Sequence, residues 1–452
     1  NNMTFKEIID SPCGIRYCFD LLELQSGYAR KYLLDSSMMT SAEEIVEAYT
    51  YLDKFTTLLE REPSLIQNIQ FRLQGLRNIS NTLISLEEGS TLDDIEFFEI
   101  KHLALLGDQV QQLFSKAERS NEWRVFDLDN VIRILDPDGL KIGTFYVYDS
   151  YSMELRKLRR ELDSDPDNEE LKDSLANEEE RIKRVLCNLL RPYATELTNL
   201  LHALAELDIL ISKAIQRKKE SFTIPTVGTG SSFEGLFHPE VKSILAQKGK
   251  IFQKVSFRYN PGEPGIIIGA NMGGKTVALK SLCLCQYLFQ FGFAVPAERA
   301  EMVPVENIVF CFGDDQDQQK GLSSFAAEIL RIDRMIEMVE SGAKTLALVD
   351  EPARTTNPTE GSALVSSLLR ILSNYPNLSL VLTTHYNVDS SARCWRVKGL
   401  VEDEKGYERL KMDYSLTESP DNEVPHEALN IARKLGVSPR WLDEATKILD
   451  TQ

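Results

Sequence analysis

Apolar residues recur at three- and four-residue spacing through Tyr17–Leu24 and Ile45–Leu59, and glycine and proline are sparse up to about residue 125. That period turns one helix face inward, so residues 1–125 are expected to form a helical core. The pattern breaks over 126–150, where Asp136-Pro137-Asp138-Gly139 stands between two apolar runs. A turn signal in that place predicts a small hairpin or irregular insert. Leu155, Leu158 and Leu162 then open a coiled-coil-like stripe, Asp163–Asn168 with Pro166 interrupts it, and Leu171, Leu175, Ile182, Leu186 and Leu189 resume it. Beyond Pro192 the steps alternate between four and three at Leu200, Leu204, Leu207, Ile211 and Ala214. Two long helices packed antiparallel over 151–220 are the simplest architecture.

Phe222–Ser232, with Pro225, Gly228 and Gly230, reads as a linker. After it, short apolar strands alternate with helices over 233–410, which is the α/β pattern. Residues 411–452 are expected to return to helix, ending in a hairpin of Ala428–Leu435 and Pro439–Leu449 around Gly436.

Composition narrows the function. The 452 residues are 42% apolar, enough for more than one core, and 51 basic against 69 acidic residues leave a net charge of −18. A chain that coats DNA needs a basic footprint, and none exists overall. Seven cysteines, at 13, 18, 187, 283, 285, 311 and 394, show no CxxC spacing and read as reduced thiols. No secretory signal or membrane-length apolar run occurs, so a cytoplasmic protein without membrane contact is expected.

The strongest chemical signal is Gly269-Ala270-Asn271-Met272-Gly273-Gly274-Lys275-Thr276, a GxxxxGK[ST] phosphate loop. The apolar run Ile266–Ile268 before it predicts a strand, and Val277–Phe291 after it a helix, as the cradle requires. Glycines let backbone amides turn to phosphate oxygens at the positive end of that helix. Lys275 would reach the β- and γ-phosphates of ATP, and Thr276 would ligate Mg²⁺. About 75 residues on, Thr345–Val349 reads as a strand ending in Asp350 and Glu351. Asp350 would hold the Mg²⁺ and Glu351 would polarise the attacking water. A third strand, Leu378–Leu382, leads to Thr383-Thr384-His385, whose imidazole could sense a γ-phosphate.

These residues together resemble the MutS family. GANMGGKT is similar to its phosphate loop, with Asn271-Met272 the unusual part. Gly321–Phe325 (GLSSF) resembles its GxSTF signature, Asp350–Asn357 its DE-x-x-R-x-T run, and Thr384-His385-Tyr386 its THY. The resemblance extends to Ala203–Leu210 (ALAELDIL), like the helix returning down the family's lever arm, to His238-Pro239, and to the terminal hairpin, like the family's dimerising helices. It implies an all-helical core with lever helices, then a P-loop ATPase domain of the ABC type. It also implies a homodimer or heterodimer through that domain, with Ser323 acting in trans on the partner's nucleotide. Val277 would line the nucleotide. Phe252, about eighteen residues before the loop, is a candidate adenine-stacking residue, with a plain core role equally open.

Departures limit what carries over. The mismatch-reading and connector domains of repair members have no counterpart within residues 1–452, where the helical pattern starts almost at once, and the lever helices are joined by about 40 helix-like residues, too few for a DNA-gripping clamp. Ala270 replaces proline, Thr355 stands where glycine is usual after Arg354, and Gln316-Asp317 replaces a pair of aspartates. Two clients therefore stay open. One is non-duplex or branched DNA, gripped by basic residues such as Arg156, Lys157, Arg159, Arg160, Arg181, Lys183 and Arg184. The other is a protein, because a clampless MutS-like branch that reactivates adenosylcobalamin-dependent lysine or ornithine aminomutases looks similar, including at Thr356–Gly361. A nucleotide-binding subunit with a purely structural role in a heterodimer is the third possibility.

Overall fold

The helical period of the first half is realised as Gly27–Asp35, Ala42–Arg61, Pro63–Leu73, Ser80–Glu87 and Asp94–Lys116, each burying one apolar stripe. A computed structural model describes residues 2–269, 274–312, 322–388, 392–401, 411–419 and 427–452. The chain divides into a helical unit, residues 23–36 and 54–215, and an α/β unit, residues 1–22, 37–53 and 216–452. Thus the first helical segments are shared between the units, and residues 1–125 do not form one body.

Within the helical unit, Asp94–Lys116 starts on a reciprocal cap, Asp93 accepting the Glu96 amide while Glu96 accepts the Asp93 amide. Met153–Ser164 and Glu169–Leu190 pack as a hairpin whose whole turn is Asp165–Asn168, with Asn168 capping the second helix. The expected pair of long helices is therefore a short helix, a 22-residue helix and, past a single 3₁₀ turn at Arg191–Tyr193, the 26-residue Ala194–Lys219. Pro192 explains the break, since it cannot donate into the ladder.

Residues 126–150 form an insert of one short helix, Asp129–Leu135, followed by a strand-free run, and not a strand hairpin. Asp136 accepts the amides of Leu140 and Lys141, closing the turn by itself. Beyond it, Phe145, Val147 and Tyr148 are buried; Phe145 lies 5.2 Å from Phe97, and Lys101 Nζ donates to the Thr144 carbonyl and the Tyr148 hydroxyl. Side-chain anchors hold the strap, so it needs no strand partner.

In the α/β unit the strands are β1 (Thr226–Val227), β2 (Ser231–Leu236), β3 (Val255–Tyr259), β4 (Gly265–Ile268), β5 (Arg299–Met302), β6 (Asn307–Cys311), β7 (Thr345–Val349), β8 (Leu378–Thr384), β9 (Arg393–Val401) and β10 (Lys411–Ser419). The stretch read as a linker contributes β1 and the start of β2, in a four-stranded sheet ordered β1-β5-β2-β3. A six-stranded sheet runs β10-β9-β4-β8-β7-β6, parallel except for the β9–β10 pair. Residues 411–419 are thus strand, not helix: Met412, Tyr414 and Leu416 alternate with polar residues at period two. The terminal hairpin is confined to Glu427–Lys434 and Pro439–Asp450, with Gly436 at φ +75° between them.

β4, β7 and β8 are mostly apolar and buried throughout, as suits strands covered on both faces. One face packs Ile266, Ile268, Val349 and Leu382 with Met335, Val365 and Leu369 from helices Leu322–Glu340 and Pro358–Leu372. Helix Gly274–Gln290 is buried nearly all round, which fits its continuous apolar run. Phe5 meets Phe291 edge-on at 5.1 Å, and Tyr49 donates to the carbonyl of Phe293 at 2.7 Å, so residues 1–22 and 37–53 complete the cover around this helix. All seven cysteines are free and buried. Among the described residues no helix is long and apolar enough to cross a membrane.

Candidate active site

Three parallel strands end side by side, and their C-terminal ends carry the predicted chemistry. β8 lies between β4 and β7, so the residues after β8 can touch both the loop and the acidic pair. In an open parallel sheet this edge is where ligands bind.

Gly269 closes β4, and helix Gly274–Gln290 places Lys275 and Thr276 in its first turn. Lys275 is 3% exposed; its Nζ donates to the Gly269 carbonyl at 2.7 Å and pairs with Glu351 Oε1 at 2.8 Å. Thr276 Oγ1 donates to Asp350 Oδ2 at 3.0 Å. From the other side Thr383 Oγ1 donates to Asp350 Oδ1 at 2.8 Å and accepts the Glu351 amide at 2.9 Å. Burial pushes the Asp350 carboxyl above its usual range, although both hydroxyls and Lys275 pull it back. A buried hydroxyl–carboxylate pair of hard oxygens suits Mg²⁺.

Glu351 also meets Arg354 Nη1 at 3.6 Å. Its backbone is unusual: φ is +41° at Glu351 and +59° at Ala353, neither a glycine. Left-handed conformations at such residues cost about 1–3 kcal/mol each and persist only where the surroundings impose them. Here the Ala353 amide donates to Glu328 Oε1 at 2.6 Å, and the Ala353 carbonyl accepts the Tyr386 hydroxyl at 2.6 Å. Tyr386 in turn packs so closely on Gly361 that a Cβ there would lie 2.7 Å from its ring.

His385 follows β8, and its Nδ1 is buried without a hydrogen-bond partner among the described residues. Burial holds the imidazole below its usual value, against the pull of Glu351, so it is neutral near pH 7.

The structure thus brings together Gly269, Gly274, Lys275, Thr276, Asp350 and Glu351, with His385, directly after β8, within the field of Glu351 and Lys275. Val277 is half-buried in the first turn of the same helix. Phe252 is half-buried in the run before β3, in the four-stranded sheet. Ala270, Asn271, Met272 and Gly273 lie outside the described residues. Ser323 falls in the first turn of helix Leu322–Glu340, but its side chain also lies outside them. Sequence reasoning quoted Thr383 and Tyr386 without a role and missed Glu328. The run Thr383-Thr384-His385-Tyr386 at a strand end was the available signal for the first two; an acid just past GLSSF carries none by itself.

Residues 265–451 match the family described as MutS domain V. Over 219 residues the chain is 33% identical to the protein named Endonuclease MutS2 of Caldicellulosiruptor saccharolyticus, covering 48% of this chain and 27% of that one. Against Endonuclease MutS2 of Lactiplantibacillus plantarum it is 30% identical, covering 61% and 34%, and against that of Streptococcus uberis 29%, covering 63% and 36%. The matched part therefore spans about a third of the length of these curated relatives.

Proposed function

We propose that the chain, whose residues 265–451 match MutS domain V, is a MutS-like dimeric switch that binds and hydrolyses ATP. Gly269–Thr276 cradle the phosphates with Lys275 on the β- and γ-positions, and Val277, Phe252 and the partner's signature segment, including Ser323, complete the pocket. Thr276 and Asp350 would hold Mg²⁺, which when bound neutralises phosphate charge. Glu351 orients the attacking water, and the Nδ1 of His385, buried without a hydrogen-bond partner among the described residues, is available to a γ-phosphate.

One observation carries this reading. Asp350 is held by Thr276 of the loop and Thr383 of β8 at once, and Thr383 also fixes the Glu351 amide. A chance glycine turn would not be tied to an acidic pair 75 residues away through a third strand. Steady-state phosphate release by the full chain, with Lys275→Ala and Glu351→Gln beside it, tests the assignment. Turnover in the wild type that both variants abolish is expected; a Lys275→Ala chain turning over normally sinks it.

For the client we propose DNA, the substrate class that the relatives' printed name, Endonuclease MutS2, suggests. A protein client, such as an aminomutase, keeps support from one feature: of the seven basic candidates on the arm, Lys157, Arg159, Arg181 and Lys183 are already paired with carboxylates. Binding of branched DNA with a salt slope, and stimulation of turnover by it, are expected if phosphates are contacted. Neither effect at physiological salt would exclude DNA and leave the protein client.

A further inference from the structure

Most carboxylates around the site face cations or hydroxyls, but one faces a peptide group. Glu328, half-buried on helix Leu322–Glu340, accepts the Ala353 amide at 2.6 Å. Ala353 is 2% exposed, lies two residues beyond Glu351 and sits at φ +59°. Its carbonyl is held by Tyr386 at 2.6 Å. The peptide groups on the two sides of one left-handed alanine are therefore fixed by two separate elements, helix Leu322–Glu340 and the residues after β8. An L-residue released from such constraints relaxes to the right-handed region. The same turn carries Glu351, itself at φ +41°, so relaxation at Ala353 would re-aim the Glu351 carboxylate.

We propose that Glu328 is a positioning residue for ATP hydrolysis: by accepting the Ala353 amide it holds the turn that aims Glu351 at the water. The inference rests on the ATPase reading above. What matters is an acceptor at that place, not a negative charge, because the contact is to a neutral N–H. Arg331 and Arg354 also draw on the Glu328 carboxyl, so a purely ionic role is the competing account.

The two accounts separate in Glu328→Gln, which keeps the oxygen and loses the charge. In the full chain, Glu328→Ala is expected to lower kcat about 10- to 100-fold, the scale of a catalytic group displaced by about 1 Å. KM for ATP should stay within about twofold, since Lys275 and Thr276 are untouched. Glu328→Gln should restore kcat. Tyr386→Phe, which removes the other half of the clamp, should lower kcat in the same KM-neutral way, and it serves if Glu328→Ala fails to fold. Amide exchange across residues 350–356 should quicken in Glu328→Ala and not in Glu328→Gln. Unchanged kcat in Glu328→Ala, or a Glu328→Gln chain as slow as the alanine variant, overturns the proposal while wild-type turnover leaves the ATPase reading standing. A wild-type chain without turnover sinks both.

Discussion

The two units bury carboxylates in opposite ways. In the helical unit Asp208 is fully buried and accepts the amides of Gln25 and Ser26 and the Ser26 hydroxyl, all within 3.1 Å. Burial still pushes its carboxyl up to about 6, so these donors only partly offset desolvation. In the α/β unit Asp350 and Glu351 are buried against Thr276, Thr383, Lys275 and Arg354, side chains that a phosphate or a cation could claim in their place. One arrangement joins an acid to backbone groups that have no other use; the other joins acids to groups that a ligand can take. Buried charge is architectural in the first case and exchangeable in the second.

Lys275→Ala should give the largest effect. Loss of the positive charge that meets developing phosphate charge is expected to reduce turnover about 10²–10³-fold or more. It also leaves Glu351 without its 2.8 Å partner, which in a buried pair costs about 3–5 kcal/mol, softened here by Arg354. A melting scan should show that loss in the absence of nucleotide. Asp208→Ala comes next. Three buried donors left without an acceptor should cost about 3 kcal/mol of stability, while KM for ATP in the surviving folded fraction stays unchanged. A change in KM would break the contrast between the units.

A pair of glycines sharpens it further. In Gly107→Ala the new Cβ would lie 2.8 Å from both Leu200 methyls, flexible ends that can give way, so a loss of about 1–2 kcal/mol with normal kinetics is expected. In Gly361→Ala the Cβ meets the Tyr386 ring at 2.7 Å. A similar stability loss should come with a fall in kcat, because the displaced phenol releases Ala353. Equal kinetics in the two variants would count against the clamp.

The smallest effect is on pH. His238 is buried, donates from Nε2 to the Cys13 carbonyl and accepts the Val241 amide at Nδ1, and burial holds its imidazole below the usual value. The folded state thus binds this proton less readily than the unfolded chain, so its contribution is full above the ordinary histidine value of about 6.5 and is lost as pH falls below it. His238→Asn, which can still cap helix Pro239–Gln247, should flatten the acid limb of stability against pH in thermal melts. An unchanged limb would show that other groups set it.

The residues that the candidate site brings together were legible because they are linear in sequence: Lys275 and Thr276 adjoin the loop, and Asp350-Glu351 follow an apolar strand. The resemblance to MutS proteins was legible for the same reason, and MutS domain V matches over 265–451. Glu328 was not, because its partner is a backbone amide 25 residues away that leaves no trace in side-chain pattern. Residues 411–419 were misread as helix because a period-two run beside a helical hairpin was too short to stand out. The turn Asp136–Gly139 was legible, but the choice between a hairpin and an irregular insert was not, since a turn signal does not say what flanks it.

The cover of helix Gly274–Gln290 by Phe5 and Tyr49 sets a timetable for the chain. Residues 1–22 and 37–53 are synthesised more than 200 residues before the surface they complete. In between, residues 54–215 supply nearly all of the helical unit and can fold on local contacts. The opening segments must therefore wait with Phe5, Ile8, Ile15 and Phe19 unburied until the phosphate-loop helix has left the ribosome, the interval in which the nascent protein most needs protection from aggregation.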